Sequence, residues 1–353
     1  MRALGLVERP DIGAMAAALQ WLEVPIPTPG RGEVRVRVVA SALNRDDVQM
    51  AEGTTFGGLP ITPRPTAKRP RVPGQDFAGI VDAIGSTVSD LKIGNRVLGV
   101  VYGTNQLGTL APYCCTKASR LRPLPEGWTF EQGAAMPFSG VVASMSVRAA
   151  GDPSGKRCVV AGASGNIGGL IVQALVAAGA REVVGVCSGA NAEHVRALGA
   201  SRVVDYGSAP WGQQLAAESD AFDTVFDCVG GRDTEADALA ILKPDGHFLT
   251  LCGPMRFAGD QRMSWGKILG TLGYIAWRTF ASRFKGPRYI LLSGSTPDWS
   301  AAETLLFEPD IRPAIDRVVP YQREDVAEAF ECLMSNRSRG KWVVAVDPDG
   351  IAV

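Results

Sequence analysis

The chain has 353 residues, 46% hydrophobic and 20% charged, enough to build a large core and two domains. Thirty-six basic residues balance thirty-six acidic ones, so no net field draws in nucleic acid or an anionic membrane. Seven cysteines form no Cys-x-x-Cys pair and no metal-ligand cluster; set among apolar runs, they predict reduced thiols and a cytoplasmic protein.

Met1–Val7 lacks an apolar leader of secretory length and reads as a first strand. Pro25, Pro27, Pro29 and Gly30 make an extended turn before Gly32–Ala40, which alternates with period two as a half-exposed strand. Asn44–Val48 opens a short helix after that strand. Thr54–Pro73, rich in Pro, Gly and Thr, with Lys68, Arg69 and Arg71, predicts a mobile surface loop. Asp76–Gly85 and Gly94–Val101 are further strands, so residues 1–125 read as β-rich.

From about Glu126 the pattern changes to alternating strand and helix. Cys158–Ala161 is a strand, followed by a small-residue loop and by Leu170–Gly179, a buried helix ending on glycine. Further strands are predicted at Val183–Cys187, Arg202–Asp205, Thr224–Asp227, His247–Leu251 and Tyr289–Leu292. Ala192–Leu198 and Thr234–Leu242, the latter stopped by Pro244, are helices between them. Strands buried on both faces and separated by helices imply an α/β, doubly wound parallel sheet over residues 126–295. Ile315–Tyr321, Val326–Met334 and Lys341–Val346 return to strand, helix and strand. Residues 296–353 therefore rejoin 1–125 in a discontinuous β-rich domain, with a ligand cleft expected between the domains.

Ala163-x-Gly165-x-x-Gly168 lies at the strand-to-helix turn. Such a turn either packs a helix tightly or cradles a pyrophosphate on exposed N–H groups at the helix N-terminus. Trp265–Phe284 is strongly apolar and aromatic, but its uninterrupted part is too short to span a bilayer, and Lys267, Arg278, Arg283 and Lys285 flank it. A core or subunit-facing helix is expected there, with a lid or a membrane-surface helix as alternatives.

Ser41–Asp47, Val72–Gly79, Gly94–Val97, Gly162–Gly168 and Arg339–Lys341, in this order, resemble the medium-chain dehydrogenase/reductase superfamily. The match is to its zinc-free quinone oxidoreductase branch. Cys187-Ser188, Asp205-Tyr206 and Phe284–Gly286 are similar to the reticulon-4-interacting NADPH oxidoreductases within it. The resemblance implies a Rossmann domain inserted in a GroES-like domain. It also implies a cofactor held by Ala163, Ser164, Gly165, Asn166, Ile167, Gly168, Ser188, Asn191, Tyr206, Val229, Cys252 and Arg339. It implies a homodimer through Tyr289–Leu292 as well. The superfamily's zinc alcohol dehydrogenases place Cys and His-Glu where this chain has Asn44 and Gln75-Asp76, so no metal is expected. Cys114 and Cys115 supply no zinc geometry by themselves. A tyrosine common after the Asn44 motif is replaced by Gln49 and Met50, and a hydroxyl is lost at Val142.

An NAD enzyme carries an acid about twenty residues past the glycine loop. Here Ser188 and Asn191 stand there with no acid, which favours NADPH, although no Lys or Arg lies within five residues of Ser188. That Ser188 only caps the next helix is the alternative. Asn44 is the expected acceptor-orienting residue, and Asp47 the expected helix cap. His194, His247 and the thiols of Cys228 and Cys252 are read as structural. With no zinc and no tyrosine–lysine pair, the acceptor must supply its own electron sink, as quinones and α,β-unsaturated carbonyls do. An apolar small molecule of that class is the expected substrate. An enoyl-thioester reductase and an NADPH-binding protein with a structural or regulatory role are the alternatives.

Overall fold

The computed structural model describes residues 1–54, 63–101, 107–256, 263–292, 308, 310–335 and 338–347. The chain divides into two compact units, Met1–Phe138 with Pro313–Val353, and Ser139–Arg312. The expected return to the first domain at residue 296 lies outside the described residues.

The first unit opens with β1 (Arg2–Gly5) antiparallel to β2 (Gln20–Glu23). Its centre is β3 (Glu33–Ala42), where Val34, Val36 and Val38 are fully buried and the intervening Arg35 and Arg37 are partly exposed. This is the period-two pattern written in the sequence. α1 (Arg45–Glu52) follows β3 almost directly. β4 (Asp76–Ile84), β5 (Arg96–Val100) and β7 (Leu121–Pro123) extend the sheet antiparallel, while β6 (Tyr113–Lys117) pairs with the first half of β3. α2 (Phe130–Ala135) starts on a Thr129–Gln132 capping box and packs against β3 and β4, which ties residues past 126 to this unit.

The stretch expected to form a surface loop is corrected at its end. Residues 55–62 lie outside the described residues, but Arg71 and Val72 are buried. Arg71 exchanges backbone hydrogen bonds with Leu6, at 2.8 and 2.9 Å, which pulls the segment into the fold.

α3 (Pro137–Ala150) leads into the second unit. There the chain runs β8 (Arg157–Ala161), α4 (Asn166–Ala177), β9 (Glu182–Cys187), α5 (Ala192–Ala197) and β10 (Arg202–Asp205). It continues through β11 (Phe222–Asp227), α6 (Arg232–Leu239), β12 (Leu242–Thr250), α7 (Trp265–Ala281) and β13 (Arg288–Leu291). All six strands are parallel in the order β10-β9-β8-β11-β12-β13, the doubly wound arrangement expected. Val159, Val184, Val225, Phe222 and Phe248 fill one face of the sheet.

Two expectations are corrected here. The helix expected to run to Leu242 ends at Leu239, and Pro244 lies inside β12. The ladder to β11 jumps from Leu242 to His247, so the missing Pro244 N–H breaks no pair. α7 is not a core helix, since none of its residues is buried. Its inner side is held where Tyr274 Oη and Arg278 Nε donate to the Glu235 carboxylate, at 2.8 and 2.5 Å.

The chain then returns to the first unit through β14 (Ile315–Pro320), α8 (Arg323–Met334) and β15 (Lys341–Ala345). β15 runs antiparallel to the second half of β3 and parallel to β14.

This burial pattern separates residues that stabilise the second unit from residues that do not. Phe248→Ala is expected to cost about 3–5 kcal/mol. Leu269→Ser and Phe280→Ser on the outer side of α7 should each change stability by no more than about 0.5 kcal/mol. Urea denaturation followed by circular dichroism distinguishes the two classes.

Candidate functional site

In the second unit, β8 ends in a turn at Gly162, whose φ of +80° suits glycine. The N–H groups of Gly162 and Ala163 both donate to Val186 O, at 3.1 and 3.2 Å, which fixes the loop to β9. Ala163, in the first fingerprint position, is fully buried. At Gly168 a Cβ would lie 2.2 Å from Gly162 O, so this glycine lets α4 start directly on the turn. Gly165 is different. Its φ of −76° is open to any residue, and a Cβ there would meet nothing nearer than Gly162 O at 3.4 Å, an ordinary contact. The fold itself does not require glycine at 165. As the N-cap of α4 it also offers no side-chain cap, leaving the first-turn N–H groups and positive helix end for an anion. Ser164, Asn166 and Ile167 are half-exposed around it. The loop thus has the space and donors that a pyrophosphate needs.

Asp227, at the end of β11 and fully buried, shapes the neighbouring wall. Its Oδ1 accepts from the N–H groups of Val229 and Gly230, at 2.9 and 2.8 Å, and its Oδ2 from Thr250 Oγ1 at 2.7 Å. Thr250 Oγ1 in turn accepts from Gly253 N–H at 2.9 Å and Cys252 N–H at 3.3 Å. Burial raises the Asp227 pKa, and these hydrogen bonds oppose the shift. One carboxylate therefore sets both turns that carry Val229 and Cys252. Val229 lies over the glycine loop, 3.1 Å from where a Gly162 Cβ would stand. Sequence reasoning missed Asp227 because its link to Thr250 exists only through the parallel register that sets them side by side.

Ser188 follows β9 and accepts Asn191 N–H on its carbonyl at 2.8 Å, but its hydroxyl makes no capping bond. Asn191 is buried at the start of α5, and Tyr206 is exposed just past β10. Two charged residues lie at the same end of the sheet. Asp205, the register partner of Cys187, lies so close to Gly189 that a Cβ there would be 2.6 Å from its Oδ2. Its other oxygen accepts Gly207 N–H at 2.8 Å. Arg196, exposed on α5, supplies a cation near the end of β9. Burial and Asp205 raise the Cys187 thiol to about 11, and Arg196 pulls against them. His247 is structural, its Nδ1 bonded to Ala150 O at 3.1 Å.

In the first unit, three strand ends converge on Asn44. β15 pairs Val343 with Ala42, which sets Lys341 opposite Asn44, and β4 pairs Asp76 with Ala42. Lys341 Nζ, nearly fully buried, donates to Asp76 Oδ2 at 2.9 Å and to Asn44 Oδ1. Asn44 Nδ2 donates to the same Asp76 oxygen at 3.0 Å, and Phe138 N–H to the other at 2.9 Å. Asp47 accepts from Asn44 N–H at 2.8 Å, the helix-capping role expected for it, and from Gln75 Nε2 at 3.3 Å. Burial pushes the Asp47 carboxyl up to about 7. A cavity of about 20 Å³, room for one water, is lined by Asp47, Met50, Gln75 and Arg71, the last with an unpartnered buried Nη1. Arg339 lies in this unit, exposed before Lys341, with its N–H donating to Asp316 Oδ2 at 3.1 Å.

The donors at the positions of the zinc ligands do not fit a metal cation. Asn44 and Asp76 already hold an ammonium, and Gln75 offers a neutral amide bonded to Asp47. Lys341→Met should leave Asp76 buried without its counter-charge, at a cost of about 3–5 kcal/mol in urea denaturation. Asp47 gives a pH signature of known sign. The folded chain binds its proton more tightly than the unfolded chain, so stability falls as pH rises from about 4 to about 7. Asp47→Asn should flatten that part of the stability curve.

The alcohol dehydrogenase GroES-like domain family matches residues 30–126, and the zinc-binding dehydrogenase family matches residues 198–344. The mitochondrial NAD(P)H oxidoreductase RTN4IP1 of Mus musculus is 30% identical over 329 residues, covering 89% of this chain and 82% of that protein. The chloroplastic NADPH-dependent alkenal/one oxidoreductase of Arabidopsis thaliana is 29% identical, covering 95% of this chain and 77% of that protein. The quinone oxidoreductase structure from Coxiella burnetii shares the fold with a TM-score of 0.77 at 23% identity, covering 98% and 99% of the two chains. The chain belongs to the medium-chain dehydrogenase/reductase superfamily, as a nicotinamide-dependent oxidoreductase of its quinone oxidoreductase branch.

Proposed function

We propose that the protein uses NADPH, without zinc, to reduce a quinone or an α,β-unsaturated carbonyl. The observation that carries this reading is the Lys341 ammonium bonded to Asn44 and Asp76. With those donors satisfied, polarisation of an isolated ketone has no Lewis acid to rest on, and the acceptor must delocalise the incoming charge itself. The relatives named for quinones and alkenal/one substrates fit an acceptor of that kind.

NADPH, when bound, supplies the hydride, and the chain orients it and keeps water away. Ala163, Ser164, Gly165, Asn166, Ile167 and Gly168 hold the pyrophosphate. Val229 and Cys252 line the nicotinamide end through their backbone, on turns set by Asp227. Ser188, whose hydroxyl makes no capping bond, takes the 2′-phosphate, with Asn191 and Tyr206 beside the adenosine. Arg196 provides the cation that the neighbours of Ser188 lack, and it offsets the nearby Asp205. Arg339 is assigned to the cofactor on the family resemblance. Asn44 donates one amide proton to Asp76 and keeps the second for the acceptor oxygen, while solvent returns the proton. We also read the protein as a homodimer joined along the outer edge of β13, in a reducing compartment that suits its seven free thiols.

The test mixes purified protein with NADPH or NADH and a panel of quinones, enones and an enoyl thioester, following nicotinamide absorbance. NADPH consumption with a quinone or enone, unchanged by a chelator, is expected. Ser188→Asp with Arg196→Glu should reverse a preference for NADPH of at least about tenfold, the worth of one charged phosphate contact. Gly165→Val should weaken NADPH binding while leaving the denaturation midpoint in place. Tight NADPH binding without turnover on any acceptor would instead identify a binding protein.

A further inference from the structure

α7 has an outer face that the fold leaves bare. Trp265, Leu269, Leu272 and Phe280 stand at i, i+4, i+7 and i+15, one stripe of the helix, with Trp277 beside it and Phe284 just beyond its end. They are 69%, 65%, 57%, 62%, 59% and 76% exposed, respectively. These six are nearly half of the thirteen exposed large apolar residues among the described residues, so the patch is a concentration rather than scatter. No described residue packs over the stripe: a Cβ added at Gly266, Gly270 or Gly273 would meet no described atom within 4 Å. The helix cannot roll to hide it. Tyr274 and Arg278 clamp the opposite side to buried Glu235, and Ile275 packs on the core of the sheet.

The charge around this face is one-sided. Met263–Leu292 contains five basic residues and no acidic one, in a chain whose charges balance overall. Arg278 is consumed by Glu235. Arg283 and Lys285, beside Phe284 just past the helix end, are exposed with no carboxylate partner among the described residues, whereas Lys267 lies on the Tyr274 side and Arg288 stands in β13. Exposed aromatics, a bare apolar stripe about 25 Å long and a cationic end at Arg283 and Lys285 are the features of a helix that lies in a membrane interface. Anionic headgroups supply the missing counter-charge. A second copy packed on the same face around a two-fold axis would set these cations against themselves. No described helix is long and apolar enough to cross a membrane, so contact would be with the surface alone.

We propose that the outer face of α7 docks the protein on the surface of an anionic lipid bilayer. The apolar stripe enters the acyl boundary, and Arg283 and Lys285, just past the helix end, meet the headgroups. The overall neutrality of the chain conceals this local field. The inference does not depend on the identity of the acceptor or on turnover.

Full-length protein is co-sedimented with vesicles of phosphatidylcholine alone and of phosphatidylcholine mixed with phosphatidylglycerol. Association with the mixed vesicles should be tighter by at least about tenfold and should weaken with salt, with tryptophan emission shifting to the blue on binding. Leu269→Glu with Phe280→Glu should abolish association with the denaturation midpoint retained, and Arg283→Glu with Lys285→Glu should remove the preference for anionic lipid. Leu269→Ser with Phe280→Ser serves as the milder variant if the glutamates unfold the chain. Absence of association, or equal association with both vesicles, would overturn the proposal. So would a fall in oligomeric state on substituting the stripe, which would identify the face as a contact between copies of this chain.

Discussion

The ammonium of Lys341, buried between Asn44 and Asp76, is the constraint on which the first unit and its chemistry depend. A buried charge is tolerable only when its partners are close and their remaining valences are filled. Here the ends of β3 and β4 supply those partners to Lys341 at the start of β15, with the Phe138 N–H closing the second Asp76 oxygen. Asn44 and Asp76 stand at positions where the superfamily's zinc alcohol dehydrogenases place Cys and the Glu of His-Glu. An internal ammonium in that region is an alternative solution to the same local electrostatics, and on the proposed reading it directs the chemistry toward acceptors that carry their own electron sink.

The second unit is organised by a different device. Asp227 is a carboxylate without a cation partner among the described residues, stabilised by two backbone N–H groups and a hydroxyl. It converts two strand ends into fixed turns and sets Val229 above the glycine loop. The loop divides its labour among its small residues. Gly168 serves packing, Ala163 fills the space below, and Gly165 alone is left without an internal steric reason. That division gives the fingerprint a physical meaning in this chain, because the one glycine the fold could replace is the one a phosphate would need.

Much of the fold was legible because it is written in periodicity. The valines of β3, the apolar strands around Val159 and the loop at Gly165 all announce themselves locally. Features built by register across distant segments were not legible. Lys341 reads as the start of a terminal strand until β15 sets it opposite Asn44, nearly three hundred residues earlier in the chain. Arg196 stands eight residues past Ser188, beyond the five residues that hold no cation, and Asp205 reaches Gly189 only through the register of a neighbouring strand. Arg71 looked like part of an exposed basic loop and is buried, because Leu6 captures its backbone. The apolar composition of α7 suggested burial, yet composition does not say whether a partner surface exists. In the fold, the clamp at Glu235 uses one side and leaves the other bare.

The central claim is that the acceptor, rather than a metal, absorbs the incoming charge. The most direct measurement follows the label from NADPH deuterated at the nicotinamide C4 into the product of an enone that turns over, by NMR. Conjugate reduction predicts deuterium on the β-carbon and an intact carbonyl. Deuterium on the carbonyl carbon, with an allylic alcohol as product, would contradict the account.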